Sequence, residues 1–283
     1  MRMTKMFLAA LTAFLVISLA ACDELFVFDF DIDDYRYRFN DTFEANLEGI
    51  DSVSITIVNG YVNVETWSSE NLDIEIEERI KATDEERAEE LAEEIGLKGR
   101  VVGSELRIEI DFGEFHHMRR YYACNLEVRL PRDIDLSLRT TNGKLEIAEI
   151  DGRVNASTTN GSVHLEGSNG DAELDSTNGK ISAGPVEGDL HASTTNGSIE
   201  IKGAAGDVQA STTNGAISLE VKRGTGFRLN ASTTNGRVSV DLPSDEFNGE
   251  FNRRRTRVEG QYGDGRHRIE LRTTNGAIRI SRD

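Results

Sequence analysis

One tetrapeptide returns on a fixed beat through the second half of this 283-residue chain. Thr140-Thr141-Asn142-Gly143 recurs at Asn160, Asn178 (there as Ser-Thr-Asn-Gly), Asn196 and Asn214, always 18 residues on. Copies at Asn235 and Asn275 follow after 21 and 40 residues. Self-similarity at a period near 20 residues marks stacked coils, in which each repeat buries its apolar face only against its neighbours.

Aligned on the glycine of each Asn-Gly, the repeats show two alternating segments. Leu145, Val163, Ile181, Ile199, Ile217, Val238 and Ile278 stand two residues after it; Ile147, Leu165, Ala183, Ile201, Leu219, Val240 and Ile280 stand four after it. Seven and five residues before it stand pairs such as Leu136/Leu138, Val154/Ala156 and Ile269/Leu271. Each is the period-2 pattern of a half-buried strand. A second glycine (Gly152, Gly170, Gly188, Gly206, Gly224) separates the two segments.

Asn-Gly between alternating segments also fits an antiparallel meander of hairpins. In a meander, however, equivalent residues sit two strands apart and gain nothing from being identical. In a parallel solenoid they stack about 4.8 Å apart, where Asn142, Asn160, Asn178, Asn196, Asn214, Asn235 and Asn275 can form an amide ladder. The reading is therefore all-β: a parallel β-solenoid of about ten coils. Residues 136–283 hold the regular coils and a C-terminal cap, and 44–135 hold degenerate coils of the same kind. Within the latter, Thr83 and Glu86 suggest a capping box for one short helical excursion near 83–95, with Ala88, Leu91, Ala92 and Ile95 on one face and Gly96 ending it. The gap between Gly236 and Gly276 has room for one extra coil and an arginine-rich loop, Arg253-Arg254-Arg255-Thr256-Arg257.

The N-terminus addresses the compartment. Arg2 and Lys5 precede an uncharged apolar run, Phe7 to Ala20, too short for a membrane span and suited to a signal-peptide core. Leu19-Ala20-Ala21-Cys22 looks like the bacterial lipobox, so residues 1–21 are expected to be removed and Cys22 acylated. Residues 22–43 then read as an acidic tether. The expected location is the cell envelope, on the periplasmic side in a Gram-negative host. There Asp23 favours the inner membrane. Cys124 is left without a thiol partner and reads as a small core residue.

Charge narrows the partners. With 50 acidic against 32 basic residues the net charge is −18, which argues against non-specific nucleic-acid binding. The balance reverses from Asp245 onward, where nine arginines face seven acids. The expected partners are the membrane, through the lipid, and an envelope protein or a glycan.

Together, the lipobox start, the early Asn59-Gly60 pair, Leu130-Pro131-Arg132 and the coils ending in Arg272-Thr-Thr-Asn-Gly-Ala-Ile-Arg-Ile280 resemble a bacterial putative-adhesin family of unknown function whose repeats read Thr-x-Asn-Gly-x-Ile. That resemblance implies a right-handed β-helix-like envelope protein, and it carries no agreed catalytic residues to transfer.

A reading of the residues for chemistry yields little. No nucleophile elbow or phosphate-cradling loop is present, and His116-His117, adjacent on a strand, would face opposite ways. No catalytic residue, metal or cofactor is expected. Asp171, Asp189 and Asp207 would stack and make a calcium candidate, although Gly-Asp is also ordinary turn chemistry. Ser157/Thr159, Ser193/Thr195, Ser211/Thr213 and Ser232/Thr234 form an outward row that suits either a polysaccharide or plain solvent. The arginine loop (Arg253, Arg254, Arg255 and Arg257) reads either as a contact for an acidic partner or as a lid neutralising the chain's own acidic flank. The leading functional expectation is a non-catalytic envelope lipoprotein serving as an adhesin-like or scaffold module. A polysaccharide-processing enzyme and an accessory or sensor protein of a membrane stress system are the alternatives.

Overall fold

The computed structural model describes residues 35–243 and 246–282. The expected leader, Cys22 and Asp23 lie outside these residues. The described chain forms two long sheets, one of eleven strands and one of twelve, with a continuous apolar core between them. Each coil gives one strand to each sheet. Asp135–Asn142, Val154–Asn160, Ala172–Ser176, Leu190–Thr194 and Val208–Asn214 run parallel in the twelve-stranded sheet. Leu145–Ile147, Val163–Leu165, Ile181–Ala183, Ile199–Ala204 and Ile217–Val221 do the same in the other.

The 18-residue period sets the register: Val154 lies beside Leu136 and Ala172, and Val163 beside Leu145 and Ile181. Val154, Ala156, Val163 and Leu165 are all fully buried, so each coil closes its own slice of core. At about 1.5–3 kcal/mol per fully buried Val, Leu or Ile side chain, this repetition is the main stabilising contribution.

Stacking order departs from sequence order at both ends. Ser52–Thr56 lies between Glu105–Asp111 and Asp135–Asn142, and Val62–Trp67 lies between Tyr122–Pro131 and Leu145–Ile147. At the far end, His267–Asn275 inserts between Val208–Asn214 and Phe227–Asn235, while Ile278–Arg282 inserts between Ile217–Val221 and Val238–Asp241. The parallel stack holds nine coils.

Antiparallel strands close both ends where further coils were expected. Tyr35–Asn46 pairs with Asn71–Ala82, which pairs with Tyr122–Pro131; Gly96–Val102 pairs with Glu105–Asp111. Hence 44–135 contains two parallel coils and an antiparallel cap rather than a run of degenerate coils. A strand also begins at Tyr35, inside the stretch 22–43 that was expected to be tether. Among the described residues the gap after Gly236 holds no extra coil. Phe247–Phe251 and Arg257–Tyr262 form a hairpin laid antiparallel on Phe227–Asn235. Period-2 alternation is the same for parallel and antiparallel strands, which is why these segments read as coils.

The helix spans Glu85–Glu94 and buries Ala88, Leu91 and Ala92. Its N-cap is Asp84, whose side chain accepts from the Arg87 amide at 2.8 Å, while the expected cap Thr83 donates its hydroxyl to Asp84. His116 and His117 sit in a 3-10 turn, not on a strand.

Candidate binding surface

Two stacked columns hold the Thr-Thr-Asn-Gly edge together. The first Thr or Ser points inward and donates to a carbonyl one coil away: Thr158 to Gly143 at 3.1 Å, Ser176 to Gly161 at 2.9 Å, Thr212 to Gly197 at 2.9 Å. The asparagines form one amide ladder in the order Asn59, Asn142, Asn160, Asn178, Asn196, Asn214, Asn275, Asn235, with every rung 2.7 or 2.8 Å. Asn59 ends it by donating to the Arg119 and Tyr122 carbonyls.

Glycine follows asparagine here for lack of room rather than for turn shape. A Cβ at Gly179 would stand 1.7 Å from the Gly161 carbonyl oxygen, and one at Gly143 would stand 1.6 Å from that of Gly60. Of the motif glycines only Gly60 has positive φ, so these are not hairpin turns. The second threonine of each motif (Thr141, Thr159, Thr177, Thr195, Thr213, Thr274, Thr234) is exposed. Its expected partner row, Ser157, Ser193, Ser211 and Ser232, is half-buried.

A groove of about 590 Å³ lies on the outer face of the twelve-stranded sheet. It runs along the stack across five coils. Asn155, Glu173, His191, Gln209 and Glu270 line its length, one per coil. Beside them runs a second column in which Arg153 and Arg268 bracket Asp171, Asp189 and Asp207.

Each of those aspartates uses one carboxylate oxygen to accept a backbone N–H from the next coil: Asp171 from Asp189, Asp189 from Asp207, Asp207 from Arg268, at 2.9–3.0 Å. Arg153 stands 3.7 Å from Asp171, and His267 3.6 Å from Asp207. Backbone amides and the Arg153 guanidinium thus relieve the repulsion of the stacked carboxylates. Among the described residues no group of three or more His, Cys, Asp or Glu is arranged to hold a metal ion.

One carboxylate near the groove is out of place. Asp175 occupies a half-buried position where the neighbouring coils carry Ser157 and Ser193. Burial raises its pKa, His191 opposes the rise and Glu173 adds to it.

The arginine loop is the tip of the terminal hairpin. Asn252 shapes it, its Oδ1 accepting from the Thr256 and Arg257 amides and its Nδ2 donating to the Thr256 hydroxyl. The loop backbone then covers the last coil: Thr256 O accepts from the Thr233 amide and Arg255 O from the Val238 amide, both at 2.8 Å. Arg255 is the one described non-glycine residue with positive φ, at 54°. Arg257 pairs with Glu259 of its own hairpin. Arg253 and Arg254 are exposed.

Cys124 is buried, and its thiol pKa is pushed far up, first by burial and then by Glu78, so it stays protonated and unreactive. No described helix is long and apolar enough to cross a membrane. The groove column was missed in the sequence because Asn155, Glu173, His191, Gln209 and Glu270 differ in type. Their shared offset, six residues before each Asn-Gly glycine, was the available signal.

A family model described as Toastrack DUF4097 matches residues 133–281, just over half of the chain. No curated protein matches it. Among solved structures, a putative adhesin from Bacteroides fragilis is similar at 12% identity, over 86% of this chain and 97% of that one, with a TM-score of 0.46. A putative adhesin from Parabacteroides merdae matches at 10% identity, 85% and 95% coverage and a TM-score of 0.41. A putative cell adhesion protein from Clostridium sporogenes matches at 13% identity, 86% and 99% coverage and a TM-score of 0.31.

Proposed function

The chain belongs to the Toastrack DUF4097 family, and from that premise we propose that it is a non-catalytic lipoprotein of the bacterial cell envelope. Acylated at Cys22 and held on a membrane, it acts as a rigid, adhesin-like or scaffold module that presents its faces to a protein or glycan partner. The observation that carries the reading is the groove of the twelve-stranded sheet. One polar side chain per coil lines it over five coils, on a stack whose backbone is fixed by amide, hydroxyl and carboxylate columns. Such a surface offers many weak polar contacts at fixed spacing, which suits recognition of an extended partner.

Two measurements test it. Cys22→Ser should release the protein from membranes at high salt; if the variant still sediments wholly with membrane, the anchor is wrong. A photo-crosslinking residue at Gln209 should capture a defined envelope component in cells, and one at exposed Arg100, remote from the groove, should not. Equal capture at both positions defeats the interaction-module reading.

A further inference from the structure

We propose that the distal tip of the solenoid, formed by the turn of Thr234 to Arg237 and the loop of Arg253 and Arg254, is a binding site for carboxylate-bearing polysaccharide. The proposal rests on the interaction-module reading above but not on lipidation or on the groove.

The bonds from Thr233 to Thr256 and from Val238 to Arg255 lash the loop across the last Thr-Asn-Gly turn. Exposed Arg253 and Arg254 thus belong to a loop whose backbone is bonded to the strand that follows Arg237, which is also exposed. None of the three makes an ion pair within the described residues, in a chain whose net charge is −18. The loop is ordered rather than slack. Three bonds from the Asn252 side chain build it, and Arg255 is held in the left-handed region. Backbone held in a sparsely populated conformation by its surroundings is a pointer to function, argued from an observed outlier. Guanidinium groups fit carboxylates with paired, directional bonds.

The second half of the argument is what adjoins the arginines. The exposed threonine and asparagine columns run through the seven Thr-Asn-Gly coils and end at Thr234 and Asn235, inside the bracketed turn. Hydroxyls and amides repeat there about every 4.8 Å. An extended peptide presents its same-face side chains about 6.6 Å apart and so does not keep step with that spacing. A polyhydroxylated chain with acidic groups meets hydroxyls, amides and arginines together. That combination selects a uronic-acid type of polymer over a neutral glycan or an acidic peptide.

The test uses the full mature chain with Cys22→Ser and three immobilised probes: polygalacturonate, neutral dextran and polyaspartate. Polygalacturonate should bind most tightly, and the paired change Arg253→Ser, Arg254→Ser should weaken it by about tenfold or more. Thr234→Val, which removes a hydroxyl but no charge, should weaken polygalacturonate by several-fold and leave polyaspartate unchanged. Arg100→Ser, on the opposite end of the stack, should change nothing. Dextran binding as well as polygalacturonate, polyaspartate binding as well or better, an unaffected arginine variant, or an equal loss in Arg100→Ser would each overturn the proposal. Loss of groove crosslinking at Gln209 with this binding intact would defeat the groove alone.

Discussion

Asn142 donates its side-chain amide to Asn59 at 2.7 Å, across 83 residues of chain. That bond belongs to the same series as the rungs between coils 18 residues apart, which places the coil of residues 52–67 directly beneath the regular repeats. The amide ladder therefore runs unbroken through coils that the chain visits out of order.

Mid-ladder, Asn178 donates to Asn160 and accepts from Asn196, both at 2.8 Å. Asn178→Ala removes both bonds and should destabilise the protein by about 1–3 kcal/mol. Ser182→Ala, on an outward position, should cost under about 0.5 kcal/mol. Urea melts of the two variants decide; equal losses would contradict a ladder that contributes to stability.

Glycines in this chain serve two different needs, and alanine separates them. Gly179→Ala drives a methyl into the Gly161 carbonyl and should prevent the coil from closing, with a loss above about 4 kcal/mol or no soluble protein. Gly224 has φ +84° and nothing within 4 Å of a Cβ, so Gly224→Ala should cost only about 1–2 kcal/mol. Thermal melts that rank the two the other way would mean that coil spacing is not what excludes a side chain at Gly179.

Asp175 should be a liability at neutral pH. Its folded-state pKa is raised, chiefly by burial, so the folded state favours the protonated form. The stability associated with that proton is present below the unfolded aspartate pKa and is lost as pH rises through the folded value. Asp175→Ser, which restores the residue type of the adjoining coils, should be more stable than the parent at pH 7. The gap should close as pH is lowered through the aspartate range. A gap independent of pH would assign the effect to packing instead.

In the arginine loop, backbone rather than charge closes the stack. Arg253→Ser with Arg254→Ser should shift stability by less than about 0.5 kcal/mol, since both side chains are exposed. Asn252→Ala, which removes three bonds that shape the loop, should cost about 1–2 kcal/mol. A large, salt-sensitive loss in the arginine variant would instead support a lid that neutralises the acidic flank.

The 18-residue columns by themselves determined the stacked fold, the strands of the regular coils and the asparagine ladder. In a parallel stack, identical residues are nearest neighbours, so the architecture is written as identity along the chain. The burial of Ala88, Leu91 and Ala92 under the helix was legible for a similar reason, because helical period is a local property. Only the tertiary structure decided which coil lies on which at the ends, and that antiparallel strands close the stack there. Each coil offers the same two edges to any neighbour, and a period-2 strand reads alike in either direction. Nothing local in residues 52–67 or 269–280 therefore specifies what they pair with. The groove emerged at the same level, because its outward side chains differ from coil to coil and share only a place in the stack.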